Sequence, residues 1–168
     1  MEKHEDFLVR FTKFLKAAHD QGYGNPNAAF ATPMRPGWKA YHFELDGFVY
    51  HDEYRGNKRY FGEEVIAENG EAVWGMNYCG EVMLLPADRT TGKEIYAFLR
   101  NALVAGSIYH PIPVRGSHLF EMCGEHRWSY MIVYRPHDTI GSFVGNETIR
   151  WDGKLVYRGV VNGGFIEE

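Results

Sequence analysis

Two glutamates, Glu64 and Glu147, and a set of aromatic side chains around Trp74 are the residues whose types and spacing could do chemistry. Each glutamate stands two residues before an isoleucine, Ile66 or Ile149, inside a strand-like apolar stretch. A carboxylate held on an apolar face can act as a general acid or base, or pair with a cationic ligand. Glu64 is therefore the one catalytic candidate, for a hydrolase or lyase, with Asn77 or Tyr78 as hydrogen-bonding partners. An uninterrupted hairpin register sets Glu147 opposite Arg158, where a cross-strand ion pair is the plainer reading, and Glu64 opposite Gly75, which offers no partner.

The aromatic set points to binding rather than reaction. Trp74, Met76 and Tyr78 alternate on one strand, Tyr157 and Val161 on a similar one, and Trp128 and Tyr130 on a third. If helices cover the other face of the sheet, these side chains line a groove of the kind that takes small molecules. With Asn77, Glu64 and Glu147 they form the candidate ligand-binding set. The bland alternatives are a plain core or a homodimer interface, since aromatic stripes on strands are commonly core. His42, His51, His110, His118, His126 and His137 are scattered, and His51-Asp52-Glu53 reads as a polar loop. No HExxH pattern or CxxC clip is present, so neither a metal nor a cofactor is expected. Serine lacks a GxSxG elbow, and Cys79 has no readable base beside it. Gly75, Gly80, Gly163 and Gly164 precede no helix start, which favours bulges or close packing over a phosphate cradle.

The elements that must position these residues come in two similar sets. An apolar stripe of Phe7, Leu8, Phe11, Phe14, Leu15 and Ala18 predicts a helix from about Glu5 to Gln21, ended by Gly22 and Gly24. An irregular, proline-bearing stretch, Tyr23 to Gly37, follows. Tyr41, Phe43 and Leu45 predict a strand over Lys39 to Leu45, with Asp46-Gly47 turning or bulging it before Phe48 to Tyr50; His51 to Lys58 reads as a loop. Asn69-Gly70 then marks a hairpin. Thr91 and Glu94 have capping-box spacing before a second helix, about Thr91 to Val104, with Ile95, Phe98, Leu99, Ala102 and Leu103 as its stripe. A second proline-bearing stretch holds Pro111 and Pro113. Trp128 to Tyr134 is a strand, and Ser142 to Phe165 a hairpin around Asp152-Gly153.

Laying Phe61–Met83 over Val144–Ile166 gives six identities in 23 positions, where chance gives roughly one or two, an indication of internal repetition. The expected fold is α+β: two αβββ units, about 5–86 and 90–168, related by a pseudo-twofold axis and sharing an antiparallel sheet or half-open barrel with two helices. At 168 residues one domain is expected. Net charge is −4 with no basic run, which argues against nucleic acid as a partner. The start, MEKHED, resembles no export signal, no apolar run is long enough to span a membrane, and the two cysteines are isolated, so a cytoplasmic location is expected.

The segment Tyr50–Gly80 resembles the signature of an uncharacterised bacterial domain family: a Tyr-Phe-Gly segment, a Gly-x-Glu strand start and a Trp-x-Met-Asn-Tyr-x-Gly return strand. Gly62, Glu64, Trp74, Met76, Asn77, Tyr78 and Gly80 carry that resemblance, together with Gly163-Gly164 near the end; Cys79 stands where an aromatic is expected. Some members of that family are fused behind a helix-turn-helix domain, and the resemblance therefore implies an effector-sensing module, with no reaction attached. The leading expectation is a non-enzymatic domain binding a small, partly aromatic or cationic ligand in a groove between the repeats. An enzyme using Glu64 and a protein-interaction or homodimerisation module are the alternatives.

Overall fold

In a computed structural model, residues 2–83, 91–106 and 119–167 are described. The elements run α1 (Glu2–Gln21), β1 (Lys39–Leu45), β2 (Phe48–Gly56), β3 (Arg59–Glu68), β4 (Glu71–Val82), α2 (Gly92–Gly106), β5 (Leu119–Cys123), β6 (Arg127–Tyr134), β7 (Ser142–Trp151) and β8 (Lys154–Phe165). The strands form one open sheet in the order β1-β2-β3-β4-β8-β7-β6-β5, every neighbouring pair antiparallel. The fold is α+β, with an eight-stranded unclosed sheet and two helices. The stretch with Pro111 and Pro113, and His110 and His118, lies outside the described residues.

Each helix forms where its stripe and ends allow. The Gly22 and Gly24 amides close α1 by donating to the Ala18 and His19 carbonyls at 2.8 and 2.9 Å. At α2 the Thr91 amide donates to the Glu94 carboxylate at 2.7 Å and the Glu94 amide to the Thr91 hydroxyl at 3.3 Å, the reciprocal cap expected from their spacing.

The expected helix-plus-three-strands becomes helix-plus-four. Asp46 and Gly47 both have positive φ, 51° and 83°, as do Asn69-Gly70 and Asp152-Gly153, so all three pairs are tight two-residue hairpin turns. Asp46-Gly47 thus reverses the chain instead of bulging it, and the expected loop His51–Lys58 is mostly the second half of β2. Its polar residues concealed it: Tyr50, Asp52 and Tyr54 point to one face, while His51 and Glu53 point to the other. The short β5 had no strong alternation to announce it.

A one-residue bulge then changes which residues share a face. The β3–β4 register shifts between Ile66 and Ala67, leaving Val73 without an opposite residue; Ile66 pairs with Trp74 and Glu64 with Met76, not with Gly75. The β7–β8 register shifts between Ile149 and Arg150, leaving Val156 unopposed and placing Glu147 opposite Gly159. Because side chains alternate with period two, this slip puts Glu64 on the same face as Trp74, Met76 and Tyr78. The carbonyls of the bulged residues are taken up across the sheet centre. Val73 accepts from the Ile166 amide at 3.0 Å, and Val156 from the Met83 amide at 2.8 Å.

Both helices pack on that shared face. Phe11 of α1 lies against Trp74, with ring centroids 5.9 Å apart, and Phe98 of α2 against Trp128 at 5.2 Å. The helices therefore cover the aromatic face expected to be open. The groove expected between the two halves is closed, with Trp74, Met76, Tyr130, Tyr157 and Val161 in one buried cluster spanning both. Trp74 donates its indole N–H to the Ile140 carbonyl at 3.0 Å, which removes the cost of burying that group.

The opposite face is crossed by part of the irregular stretch before β1. Glu53, fully buried there, accepts the Met34 amide; Arg35 pairs with Glu63 and lies 3.5 Å from Glu53. Trp38 meets Phe61 edge-on at 4.9 Å.

Candidate functional site

The sheet and helices do not close everywhere. A cavity of about 290 Å³ lies between the end of α1, the face of α2 and the inward residues of β2, β3 and β4. That is near the lower edge of the ~300–1,000 Å³ typical of ligand pockets. Six tyrosines line it: Tyr23 beyond α1, Tyr50 and Tyr54 on β2, Tyr60 on β3, Tyr78 on β4 and Tyr96 on α2. Asp52 and Glu64 are its buried acids, His19 is its imidazole, and Lys39, Asn57 and Arg100 add polar groups.

Glycine on the neighbouring strand makes room for the tyrosine rings. Tyr78 pairs with Gly62 and Tyr60 with Gly80. A Cβ at Gly62 would stand 2.5 Å from the Tyr78 ring and 2.6 Å from the Glu53 carbonyl, and a Cβ at Gly80 2.6 Å from the Tyr60 hydroxyl. The glycines of the Tyr-Phe-Gly and Tyr-x-Gly segments are therefore receptacles for rings laid across β3 and β4.

Polar contacts fix the acids. The Tyr78 hydroxyl donates to Asp52 Oδ1, and His19 Nε2 lies 2.8 Å from Glu64 Oε2. Asp52 and Glu64 are direct partners in the β2–β3 register, 2% and 5% exposed. Burial pushes the Tyr96 phenol up to about 12 and, with Tyr41 beside it, raises Tyr54 further. Both stay protonated near neutrality and can donate hydrogen bonds. Arg100 donates to the Tyr23 carbonyl at 2.7 Å and stacks over that ring, 4.8 Å from its centroid.

Of the residues singled out in the sequence, Glu64 and Tyr78 line this cavity. Trp74, Met76, Tyr130 and Tyr157 are core, and Trp128 is half-buried against Phe98. Asn77 is exposed on the opposite face, so it cannot assist Glu64. Glu147 is buried, but its partners are the Tyr130 and Tyr157 hydroxyls at 2.8 and 3.0 Å; Arg158 stands opposite Thr148 and reaches Glu81 at 2.9 Å.

Sequence reasoning did not single out His19, Tyr50, Asp52, Tyr54, Tyr60 or Tyr96. Reading Asp46-Gly47 as a tight turn would have extended β2 and aligned Tyr50, Asp52 and Tyr54 with Phe48 on the helix-facing side. His19 lies one step beyond the apolar stripe of α1 and carried no signal. Among the described residues no group of three or more His, Cys, Asp or Glu is arranged to hold a metal ion, and no helix is long and apolar enough to cross a membrane.

No curated protein and no solved structure matches the chain. A family model described as a domain of unknown function (DUF5680) matches residues 52–166, more than half of the chain, beginning at Asp52 on the cavity wall and taking in the hairpins at Asn69-Gly70 and Asp152-Gly153. The chain belongs to this uncharacterised domain family, DUF5680.

Proposed function

We propose that this domain is a non-enzymatic receptor for a small, partly aromatic organic molecule, held in the tyrosine-lined cavity under the helices rather than at the seam between the halves. The observation that carries the reading is the cavity itself, where aromatic walls and a few convergent polar groups combine. Such a site suits an effector-sensing module, the role implied by the family resemblance. We also infer that the two halves descend from one copied αββββ unit. The shared element order, the bulges at Val73 and Val156 and the reciprocal acceptance of their carbonyls support that descent.

A thermal-shift screen against a metabolite library, repeated on Leu103→Trp, tests the receptor reading. Leu103 lines the cavity, so the bulky variant should abolish any shift while remaining folded. Hits that persist undiminished in a folded Leu103→Trp would sink the proposal.

The 2.8 Å contact of His19 with Glu64 favours a second reading, an acid–base pair of a hydrolase or lyase. Turnover lost in both His19→Ala and Glu64→Gln, with binding retained, would establish it. A third, dimerisation through the face away from the helices, is favoured by the exposure of Phe61, Val133 and Val160 there; monomeric sedimentation at high concentration would dismiss it.

A further inference from the structure

Resting on the receptor reading, we infer that the ligand of this cavity carries a single carboxylate, taken by Arg100 and Lys39 at the edge of the sheet, with its apolar body among the tyrosines. The cavity is divided in charge. Lys39 opens β1, the outermost strand, and stands directly opposite Tyr54 on β2. Glu64 is on β3, two strands further in, which sets the two backbones roughly 10 Å apart. Asp52 is on β2, but its carboxylate is held from the inner side by the Tyr78 hydroxyl of β4. Both acids are engaged there, since Glu64 has His19 at 2.8 Å.

The two cations have neutral partners only. Arg100, half-buried on α2, donates its Nε–H to the Tyr23 carbonyl and lies over that ring. Among the described residues no acceptor is bonded to its terminal nitrogens, a pair able to grip a carboxylate side by side. The Lys39 ammonium lies over the Phe30 and Tyr54 rings, 5.3 and 5.8 Å from their centroids, and makes no ion pair among the described residues. The field of Arg100 reaches Tyr41, which stacks on Tyr54, so both cations border the same pair of rings. Burial keeps Tyr54 protonated, and the phenol adds no negative charge at this end. A purely structural clamp on Tyr23 uses one N–H and requires no second cation nearby.

The remaining walls define the rest of the ligand. Tyr50, Tyr60, Tyr78, Leu99, Leu103 and Val104 line a space of about 290 Å³, which suits an aromatic or branched apolar body over a small inorganic anion. A second negative charge would meet Asp52 and Glu64, and like charges brought together are costly. The molecule therefore carries its charge at one end, the end at Arg100.

The test is calorimetric titration of the full chain, at low ionic strength, with three probes of matched size: 3-phenylpropanoate, 3-phenylpropanamide and 3-phenylpropylamine. The acid should bind at least ~10-fold more tightly than the amide, its neutral isostere, and than the amine. Lys39→Met and Arg100→Gln should each shrink that preference, with circular dichroism confirming the fold. Lys39 is exposed, so Lys39→Met decides the matter should Arg100→Gln fail to fold. Equal or better binding of the amide or the amine, blocked by Leu103→Trp, overturns the carboxylate inference while leaving the receptor reading intact. A preference for the acid unchanged in the folded variants overturns it as well. Should none of the three probes bind, the inference falls, and the receptor reading falls with it only if the metabolite screen also yields no shift that depends on Leu103.

Discussion

The hydroxyl oxygens of Tyr60 and Tyr157 lie 2.6 Å apart, and through them the cavity wall is hydrogen-bonded to a carboxylate of the core. Tyr60 belongs to β3 and lines the cavity; Tyr157 belongs to β8 and donates to Glu147 at 3.0 Å, which also accepts from Tyr130. Tyr157→Phe removes the shared hydroxyl and leaves a buried carboxylate short of a donor. The expected loss is about 1–3 kcal/mol in chemical denaturation. A change below about 0.5 kcal/mol would mean that the chain of phenols is not a structural unit.

Gly62→Ala should be costly although the residue is extended and the change is one methyl group. The added Cβ meets the Tyr78 ring at 2.5 Å and a backbone carbonyl at 2.6 Å, and the carbonyl cannot move cheaply. Overpacking of this kind costs about 1–3 kcal/mol. Displacement of Tyr78 should also weaken its bond to Asp52, so melting temperature and near-ultraviolet circular dichroism should change together. A wild-type spectrum with a wild-type melting temperature would contradict the packing described.

The Glu53 carboxylate predicts an acid-sensitive anchor. Burial pushes this group up, but His51 and the amides of Met34 and Arg35 together hold it below the usual carboxylate value. A depressed folded-state pKa means that the stabilisation is present above the unfolded value of about 4.3 and is lost as pH falls through the folded one. Wild type should therefore lose more melting temperature than Glu53→Gln between pH 6 and pH 3. Parallel curves for the two proteins would remove Glu53 as the anchor of the segment around Arg35.

Trp74→Ala should act through the core. Trp74 is fully buried between Phe11 and Phe143, and truncating such a residue costs about 3–5 kcal/mol. Sedimentation of the variant, under conditions where it remains folded, should give the same species as wild type. Loss of an oligomer specifically in this variant would instead make Trp74 an interface residue.

How much of this was legible in the sequence depends on residue type. Asn69-Gly70 and Asp152-Gly153 announced their hairpins because positive φ at both turn positions demands such pairs. Asp46-Gly47 carried the same signal, but the acids and histidine after it masked a strand whose polar residues serve the cavity on one face and the Arg35 segment on the other. The bulge at Val73 left no mark, since any hairpin with a two-residue turn reads as uninterrupted, and that one residue decided the surroundings of Glu64. The side of the sheet taken by the helices was equally hidden, because both faces of the first hairpin are substantially apolar.

The pairing of β4 with β8 bears on how the protein is made. During synthesis from the N-terminus, β4 is finished long before β8, the last strand, so the middle of the sheet is the part completed last. Until then the nascent chain carries an unsheltered strand edge, the kind of surface that recruits other chains. Ribosome-bound chains stalled before Lys154 should accordingly be far more protease-sensitive and chaperone-dependent than the released protein.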